Sequence, residues 1–225
     1  MGFSCLVTGT DTGVGKTMVA AALLHKCREL GFSAIGMKPV AAGCELVGGE
    51  ACNEDVEALR NASSVPLERG LINPYLFEPA IAPHIAAAEA GIEIDPAHIV
   101  QCYRLLANAV ECIVVEGAGG FLVPLSAQAD TGDLARMLGL PVILVVGMRL
   151  GCINHALLTQ EAIERRGLVF AGWIANQMEQ PMARCEENIA ALVERLRAPL
   201  MGIIPCLAHA DPVAAARYLE LPDDA

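Results

Sequence analysis

The sequence predicts an α/β fold in which helices flank a mostly parallel central sheet on both faces. Two observations predict it. Short runs rich in Val, Ile and Leu alternate along the chain with longer segments whose apolar residues recur at helical spacing. These short runs are also apolar at nearly every position, as in parallel strands that are buried on both faces. A chain of 225 residues that is 54% hydrophobic can bury one substantial core, so we expect a single domain over residues 1–225.

Six of the apolar runs are predicted as the strands of the sheet. In chain order they cover residues 4–8, 33–38, 112–116, 141–146, 169–175 and 200–204. One helix is predicted over residues 17–30, ending at Gly31, and another over residues 181–197, ending before Pro199. Helices are expected to fill the remaining gaps. Residues 41–53 are Gly-rich without a clear period, and they are predicted as a loop of the kind that often lies over a ligand.

The composition argues against several classes of protein. A net charge of -11 and the scattering of the 15 Lys and Arg residues oppose a nucleic-acid surface. The nine cysteines are dispersed without a CxxC pair, which favours small core residues in a reducing compartment over disulfides or a zinc site. No secretion signal is visible, and the apolar runs are far shorter than the ~20 residues of a membrane span. We therefore expect a cytoplasmic protein with no nucleic-acid or membrane partner, and the high apolar content hints at a second copy.

The strongest motif is Gly-Thr-Asp-Thr-Gly-Val-Gly-Lys-Thr at residues 9–17, between the first predicted strand and the first predicted helix. In that position its backbone N–H groups can surround phosphate oxygens, Lys16 adds a positive charge, and the Thr17 hydroxyl can ligate magnesium. The motif departs from the usual GxxxxGK[ST] spacing, because Thr10 stands where the first glycine belongs and Gly9 lies one residue early. The alternative is a Gly-rich turn that only caps a helix.

Three charged residues are candidates for the same phosphate site. Lys38 lies at the C-terminal end of the second predicted strand and Glu116 at that of the third, at the sheet edge where ligands of parallel sheets collect. A buried carboxylate such as Glu116 needs a partner, and a magnesium ion beside phosphates would supply one. Asp55 offers a second carboxylate in an apparent helix start. The alternatives are a solvated lysine, an acid that caps the next loop and an ordinary helix-start aspartate.

Two further segments have the character of ligand contacts. Residues 150–155 follow the strand that ends at residue 146 and open another helix, whose free N–H groups can hold an anion such as a carboxylate. Asn176, just past a predicted strand, either reads an adenine edge or makes a turn. His84 and His155 are interpreted as structural, because no metal-ligand spacing surrounds them.

Six motifs in this order, GTDTGVGKT, MKPVAAG, VVEGAGG, PVILVVG, LGCINHALLT and AGWIAN, resemble the dethiobiotin synthetases over nearly the whole chain. The resemblance implies a P-loop NTPase-like fold and a homodimer with its substrate site at the subunit interface. It implies an ATP-dependent, magnesium-dependent ligase that closes a cyclic urea on 7,8-diaminononanoate with CO2, giving dethiobiotin, ADP and phosphate for biotin synthesis. Our hypothesis for the route is a carbamate followed by a carbamic–phosphoric anhydride.

The resemblance also implies roles for individual residues. Lys16 and Lys38 would be the catalytic cations, and Thr17, Asp55 and Glu116 would hold Mg2+. The substrate would be contacted by Thr12 and Lys38, with Ala42 in the same segment, and its far carboxylate by Gly151, Cys152, Ile153 and Asn154 of the neighbouring subunit. The nucleotide would be bound by Gly13, Val14, Gly15, Lys16, Thr17, Met18, Asp55, Glu116, Gly117, Ala118, Gly119, Asn176, Gln177, Pro205, Cys206 and Leu207.

Two positions depart from the family pattern. Many members carry serine where this chain has Ala42, so a substrate-contacting hydroxyl is missing, at a cost of about 0.5 to 1.5 kcal/mol. Some members carry glutamate in place of Gly13, and the effect of that difference is open. The competing readings are a partitioning or positioning ATPase of the same P-loop group and another ligase such as a cobyrinate-type amidotransferase. The first usually has an extra lysine early in the loop, where this chain has residues 10–12, and the second needs a glutaminase domain.

Overall fold

The computed structural model describes residues 3–178, 182–207 and 209–221. Its strands are β1 (Ser4–Gly9), β2 (Ala34–Met37), β3 (Val40–Ala42), β4 (Glu45–Val47), β5 (Glu50–Cys52), β6 (Tyr75–Phe77), β7 (Cys112–Glu116), β8 (Val142–Met148), β9 (Phe170–Gln177) and β10 (Leu200–Ile204). Its helices are α1 (Lys16–Glu29), α2 (Glu54–Ala62), α3 (Arg69–Ile72), α4 (Pro83–Ala90), α5 (Pro96–Ala107), α6 (Thr131–Leu138), α7 (Cys152–Arg165), α8 (Cys185–Arg195) and α9 (Pro212–Ala216).

A six-stranded sheet in the order β10-β9-β8-β1-β7-β2 forms the centre of the fold. Every neighbouring pair in it is parallel. All six predicted strands lie in this sheet, so the predicted parallel architecture is confirmed. The separation of β1 from β2 by β7 means that three segments distant in sequence end side by side.

Helices cover both faces of the sheet, as predicted. Cys5 and Val7 of β1 face one core cluster, which includes residues of α1, α2 and α9. Leu6 faces the opposite cluster, which includes residues of α4, α5 and α6. A third cluster joins β8 and β9 to α7 and α8 around the fully buried Trp173. The strands are apolar at successive positions because side chains alternate between two covered faces.

Residues 41–53 were predicted as a loop, and this was wrong in part. Here β3 pairs in parallel with β6, and β4 and β5 form an antiparallel hairpin. The turn of the hairpin is Gly48-Gly49, with φ of 63° and 90°. All three residues of β4 are exposed, so the hairpin has no buried face and therefore no hydrophobic period that sequence reasoning can detect.

Two predicted helix boundaries shift by one or two residues. Helix α1 begins at Lys16, one residue before the predicted start, because Gly15 adopts a left-handed conformation with φ of 88° and ends the loop there. Helix α8 ends at Arg195, where the following Leu196 turns extended and is buried. The predicted start of α8 at Pro181 lies outside the described residues.

The prediction that the cysteines are mostly small core residues is confirmed. All nine lie in the described ranges, all are free thiols, and five are buried. In the described part of the chain, none of the helices combines the length and the apolar character that crossing a membrane requires.

Candidate active site

The predicted site residues converge on one edge of the central sheet. Because the six strands are parallel, their carboxyl ends meet at that edge. The Gly-rich loop follows β1, Lys38 follows β2, and Glu116 is the last residue of β7. Asn176 was predicted just past a strand, but β9 continues through Gln177, so the Asn176 side chain is fixed by the sheet itself.

The loop between β1 and α1 is held by close packing that only glycine permits at two positions. A Cβ atom on Gly9 would lie 2.6 Å from the Val14 Cγ2 atom, and one on Gly15 would lie 2.3 Å from the Asn176 Nδ2 atom. The Thr10 N–H donates a hydrogen bond of 3.0 Å to the Val145 carbonyl, which anchors the loop to β8. Gly9 therefore provides a close approach although it stands one residue before the usual position.

Four side chains form a hydrogen-bonded cluster beside this loop. The Thr17 hydroxyl lies 2.7 Å from Asp55 Oδ1 and 2.9 Å from Glu116 Oε1. The Lys38 ammonium donates to Asp55 Oδ2 at 2.8 Å and to Glu116 Oε1 at 2.5 Å. Lys38 is 4% exposed and Glu116 is 1% exposed, so Lys38 is not a solvated surface lysine. These contacts join residues that are 17 to 99 positions apart in the chain.

Lys16 lies at the start of α1 and is 6% exposed. Its ammonium donates a hydrogen bond of 3.0 Å to the backbone carbonyl of Asp11. Burial, and after it the positive charge of Lys38, lower the pKa of Lys16 from 10.5 to about 8. Among the described residues, no carboxylate lies within hydrogen-bonding distance of the Lys16 ammonium, so its charge is not balanced by a direct partner. A negatively charged ligand at this loop would supply that partner and stabilise the protonated form of Lys16.

The three charged groups of the cluster respond differently to burial. Burial lowers the pKa of Lys38, but Glu116 and Asp55 outweigh it, and the net pKa is raised. Burial raises the pKa of Asp55, yet Lys38 and the Thr17 hydroxyl outweigh it and the net pKa is lowered. For the fully buried Glu116, burial prevails over the attraction of Lys38, so its pKa is raised. A further cation beside Glu116 would favour its ionised form.

The cluster has the donor set that a hard divalent cation prefers. Thr17, Asp55 and Glu116 present a hydroxyl and two carboxylates, and the Glu116 Oε2 atom is buried with no hydrogen-bond partner. Within the described ranges, no group of three or more His, Cys, Asp and Glu side chains is arranged to hold a metal by itself. These residues fit a magnesium ion that keeps several ligands from water or phosphate, as Mg2+ commonly does.

A pocket of about 180 Å³ lies on the other side of the loop. Asn176 forms part of its wall, donates a hydrogen bond of 2.9 Å to the Val14 carbonyl, and has a buried Oδ1 atom without a partner. The pocket brings together eight of the residues predicted to bind the nucleotide: Gly13, Gly15, Met18, Asn176, Gln177, Pro205, Cys206 and Leu207. Sequence reasoning missed Met178, His209 and Ala210, which line the same pocket and flank predicted residues in the chain.

The Gly-rich turn after β7 lies apart from that pocket. Gly117 and Ala118 line a small, mostly apolar cavity of about 10 Å³ together with Pro39 and Val40. A Cβ atom on Gly119, whose φ is 62°, would lie 3.6 Å from the Thr12 hydroxyl oxygen. The turn after β7 therefore lies next to Thr12 in the Gly-rich loop and close to Pro39, the residue that follows Lys38.

The segment around Ala42 is tied to Asp55 through Asn53. Ala42 is partly buried at the end of β3. The Asn53 side chain donates a hydrogen bond of 2.7 Å to the Gly43 carbonyl and accepts one of 3.2 Å from the Val56 N–H, which caps α2. Asp55 is thus held in place by the cap of its own helix and by the chain that follows Ala42.

Residues 151–154 open α7, as predicted. Gly151 is the N-cap, with φ of 96°, and as a glycine it has no side chain that could cap the helix. Cys152, the first residue of the helix, is buried. Arg149, in the turn before them, forms an ion pair with Asp11 of the Gly-rich loop. The start of α7 is therefore connected to the loop after β1, a link that sequence reasoning did not find.

Comparison with known proteins places the chain in a family. A family model described as an AAA domain matches residues 4–214. The chain is 57% identical over 216 residues to the ATP-dependent dethiobiotin synthetase BioD of Aromatoleum aromaticum, with 96% of each chain covered. It is 53% identical over 222 residues to the protein of that name from Janthinobacterium sp., covering 97% of this chain and 94% of that protein.

The solved structures that resemble this chain share its fold at low sequence identity. The septum site-determining protein MinD of Pyrococcus horikoshii, complexed with Mg-ADP, has a TM-score of 0.55 at 18% identity, covering 96% of this chain and 86% of that one. The MinD cell division protein of Aquifex aeolicus has a TM-score of 0.56 at 16% identity, covering 95% of this chain and 87% of that one. These likenesses show the P-loop NTPase-like fold, and the much higher identities to the curated relatives show that the chain belongs to the ATP-dependent dethiobiotin synthetase family.

Proposed function

We propose that this protein is an ATP-dependent cyclo-ligase that converts 7,8-diaminononanoate, CO2 and ATP into dethiobiotin, ADP and phosphate in biotin synthesis. Relatives with the name ATP-dependent dethiobiotin synthetase are 50–57% identical to this chain over 216 residues, which is 96% of its length. The observation that carries the proposal is the hydrogen-bonded cluster of Lys38, Asp55, Glu116 and Thr17 beside Lys16, in which Lys38 and Glu116 are buried. Such a cluster can surround a transferring phosphoryl group with fixed charge.

ATP binds, in this proposal, with its phosphates in the loop of residues 10–15 and its base in the pocket of about 180 Å³. The loop supplies backbone N–H groups at the N-terminus of α1, where anions are stabilised. Lys16 exchanges the Asp11 carbonyl for phosphate oxygens. The unpartnered Asn176 Oδ1 atom is an acceptor for the amino group of adenine.

Thr17, Asp55 and Glu116 are the residues that would hold Mg2+ in this site. When bound, the ion would supply charge neutralisation for the phosphate oxygens. The support is chemical: all three offer oxygen atoms, and Glu116 retains one buried oxygen without a partner.

The reaction we propose has three steps. One amine of the substrate adds to CO2 and loses a proton, giving a carbamate. A carbamate oxygen attacks the γ-phosphorus, the bond to the ADP oxygen breaks, and a carbamic–phosphoric anhydride forms. The second amine attacks the anhydride carbonyl, expels phosphate and closes the five-membered urea, and the proton that this amine loses passes to the leaving phosphate or to solvent. Lys16 and Lys38 stabilise the anions of the first two steps, and their charges are in place before the reaction begins.

The diamine lies, in this proposal, between Lys38 and Thr12, with Ala42 at the side where many relatives carry serine. Its far carboxylate reaches Gly151 to Asn154 of a second subunit, because a helix N-terminus such as the start of α7 stabilises an anion. Of the N–H groups there, that of Cys152 already donates to the Arg149 carbonyl at 3.0 Å. A homodimer is therefore part of the proposal. A cytoplasmic location is supported by the nine free thiols, which suit a reducing compartment.

A positioning ATPase is the competing function, and two observations disfavour it. The MinD structures resemble this chain at only 16–18% identity, and a likeness at that level shows a shared fold but not a shared activity. Residues 10–12 contain no lysine, where such ATPases usually have one. ADP release that requires the diamine separates the two functions.

The decisive experiment measures product by mass after incubation with ATP, Mg2+ and bicarbonate, with and without 7,8-diaminononanoate. Dethiobiotin only in the presence of the diamine is the expected result. We expect Lys38→Ala to lower kcat by about 100-fold or more while ATP still binds, because a fixed charge at the reacting group is lost. Lys26→Ala is the matched control, since Lys26 is the remaining lysine of the chain and, among the residues that the structure describes, its one ion pair is with the exposed Glu29. Near-normal turnover by Lys38→Ala would contradict the assignment.

A further inference from the structure

The nine cysteines differ sharply in their access to reagents. Burial raises the pKa of the Cys5, Cys27 and Cys102 thiols, and buried thiols of this kind are inert. Burial, and after it the nearby Cys152, also raise the pKa of the partly buried Cys185. Of the nine cysteines, all of which lie in the described ranges, Cys206 alone is exposed. It is therefore the thiol that a dissolved reagent reaches first.

Cys206 lies in the loop after β10, on the wall of the proposed base pocket. It also lines a neighbouring cavity of about 120 Å³, whose other walls include Met148, Met178 and Met182. Cys206 thus lines both cavities, and several of the other residues that line them are methionines. Methionine side chains are adaptable and polarisable, so this wall can accept groups of varied shape.

A second observation points to a ligand in the pocket beside Cys206. Asn176, 5% exposed, lines the same pocket and has an Oδ1 atom that is buried and unpaired. An unpaired buried acceptor costs about 1–3 kcal/mol, so its persistence indicates a ligand that donates a hydrogen bond there. Asn176 pairs with Ile204 of the neighbouring strand, two residues before Cys206, so a nucleotide base that bonds to Asn176 would cover Cys206.

We propose that Cys206 is a covalent modification site for soft electrophiles and low-molecular-weight disulfides, and that modification there and nucleotide binding exclude each other. The inference rests on the proposed function, because it takes the pocket to be the base site. It adds a means by which thiol oxidants or electrophiles would switch the ligase off. A group attached at Cys206 would extend into the pocket of about 180 Å³ that the base must enter.

The chemistry with a disulfide is an ordinary exchange. The Cys206 thiol loses its proton to solvent, giving the thiolate that acts as the nucleophile. The thiolate attacks one sulfur of glutathione disulfide, that S–S bond breaks, and a mixed disulfide forms on Cys206. The leaving glutathione thiolate takes up a proton. A reducing thiol reverses the reaction.

The test compares labelling by iodoacetamide and by glutathione disulfide, with and without ATP, and locates the label by peptide mass. We expect Cys206 to be labelled at least about tenfold faster than the other cysteines and saturating ATP to slow that labelling at least tenfold. Binding of a fluorescent ATP analogue is measured before and after treatment, each variant against its own untreated sample. Treated wild type should lose at least tenfold in affinity, and thiol reduction should restore the affinity of the glutathione adduct.

Two variants make the test specific. Cys206→Ser should show no loss of affinity on treatment, whatever its starting affinity. Cys52→Ser, which removes a partly exposed thiol on the β4–β5 hairpin, should respond like wild type. If ATP binds but gives Cys206 no protection, or if the modified protein binds ATP normally, the inference is wrong while the proposed function stands. If the untreated protein binds no nucleotide, the proposed function is wrong and the inference with it.

Discussion

Replacing Gly15 with alanine tests how the nucleotide loop is held. Gly15 has φ of +88°, and an added Cβ would lie 2.3 Å from the Asn176 Nδ2 atom. An L-residue in the left-handed region costs roughly 1–2 kcal/mol. Moving the Asn176 amide away would also break its 2.9 Å hydrogen bond to the Val14 carbonyl. Losing such a bond costs a further ~0.5–1.5 kcal/mol, so Gly15→Ala should lower the free energy of unfolding by about 2 to 3 kcal/mol.

Gly13 provides a matched control two residues away in the same loop. Its φ is +72°, but an added Cβ meets nothing within 4 Å. Gly13→Ala should therefore show the left-handed strain alone, about 1–2 kcal/mol, and leave the Asn176 amide in place. The difference between the two variants isolates the contact between the loop and β9. Since that contact forms the floor of the base pocket, Gly15→Ala should also weaken ATP binding more than Gly13→Ala.

Urea unfolding and ATP titration of both variants measure these differences. A double-mutant cycle with Asn176→Ala checks the cause, because removing the amide removes the clash. Gly15→Ala should cost at least about 0.5 kcal/mol less in the Asn176→Ala background than in wild type. Equal costs for the Gly15 and Gly13 variants, or strict additivity with Asn176→Ala, would refute the reasoning.

Three further outcomes are expected. Asp130→Asn should lower the free energy of unfolding at pH 7 by about 1–2 kcal/mol, because Asp130 caps α6 and pairs with Arg166 at 2.6 Å. Burial raises the pKa of Asp130, but Arg166 and nearby backbone N–H groups outweigh burial and lower the net pKa. The difference in unfolding free energy between wild type and Asp130→Asn should therefore be complete above about pH 4 and disappear as the pH falls below it. Ala42→Ser should lower the KM for the diamine about two- to tenfold by restoring a hydroxyl, and an unchanged KM would count against the substrate position. Arg149→Ala and Asp11→Ala should each lower kcat by no more than about fivefold, and the double variant no further, because each single change already breaks the same exposed ion pair. If the two effects on kcat multiply in the double variant, the two residues act separately.

The sheet could be predicted from the sequence because its strands lie between two covered faces. Such strands leave an unbroken apolar run, and all six runs of this kind proved to be neighbours in one sheet. The β4–β5 hairpin could not be predicted in the same way, since it buries no face. A strand is visible in a sequence to the extent that its burial imposes a pattern.

The site residues could be predicted singly, but not their contacts. Parallel strands place Lys38 and Glu116 at the same edge, and this much follows from topology. The contacts of Asp55 and Glu116 with the same lysine depend on how far the side chains extend, which topology does not determine. An example is the 2.8 Å contact between Lys38 and Asp55. His209 and Met178 were missed because they follow strands without any pattern of their own. The Arg149–Asp11 pair was missed because it joins two turns 138 residues apart.

The strand register is what joins the charged cluster into one site. On β7, Cys112 and Val114 face α1, and the two-residue period places Glu116 on that face as well, toward Thr17. On β2, Gly36 faces Leu24 of α1 and Leu59 of α2, and the same period carries Lys38 to that side. The pairing of Met37 with Val115 then brings Lys38 within 2.5 Å of Glu116. A slip of one residue in either strand would turn one of the two charges to the opposite face. The chemistry therefore depends on the alternation of buried side chains along the sheet as much as on the charged residues themselves.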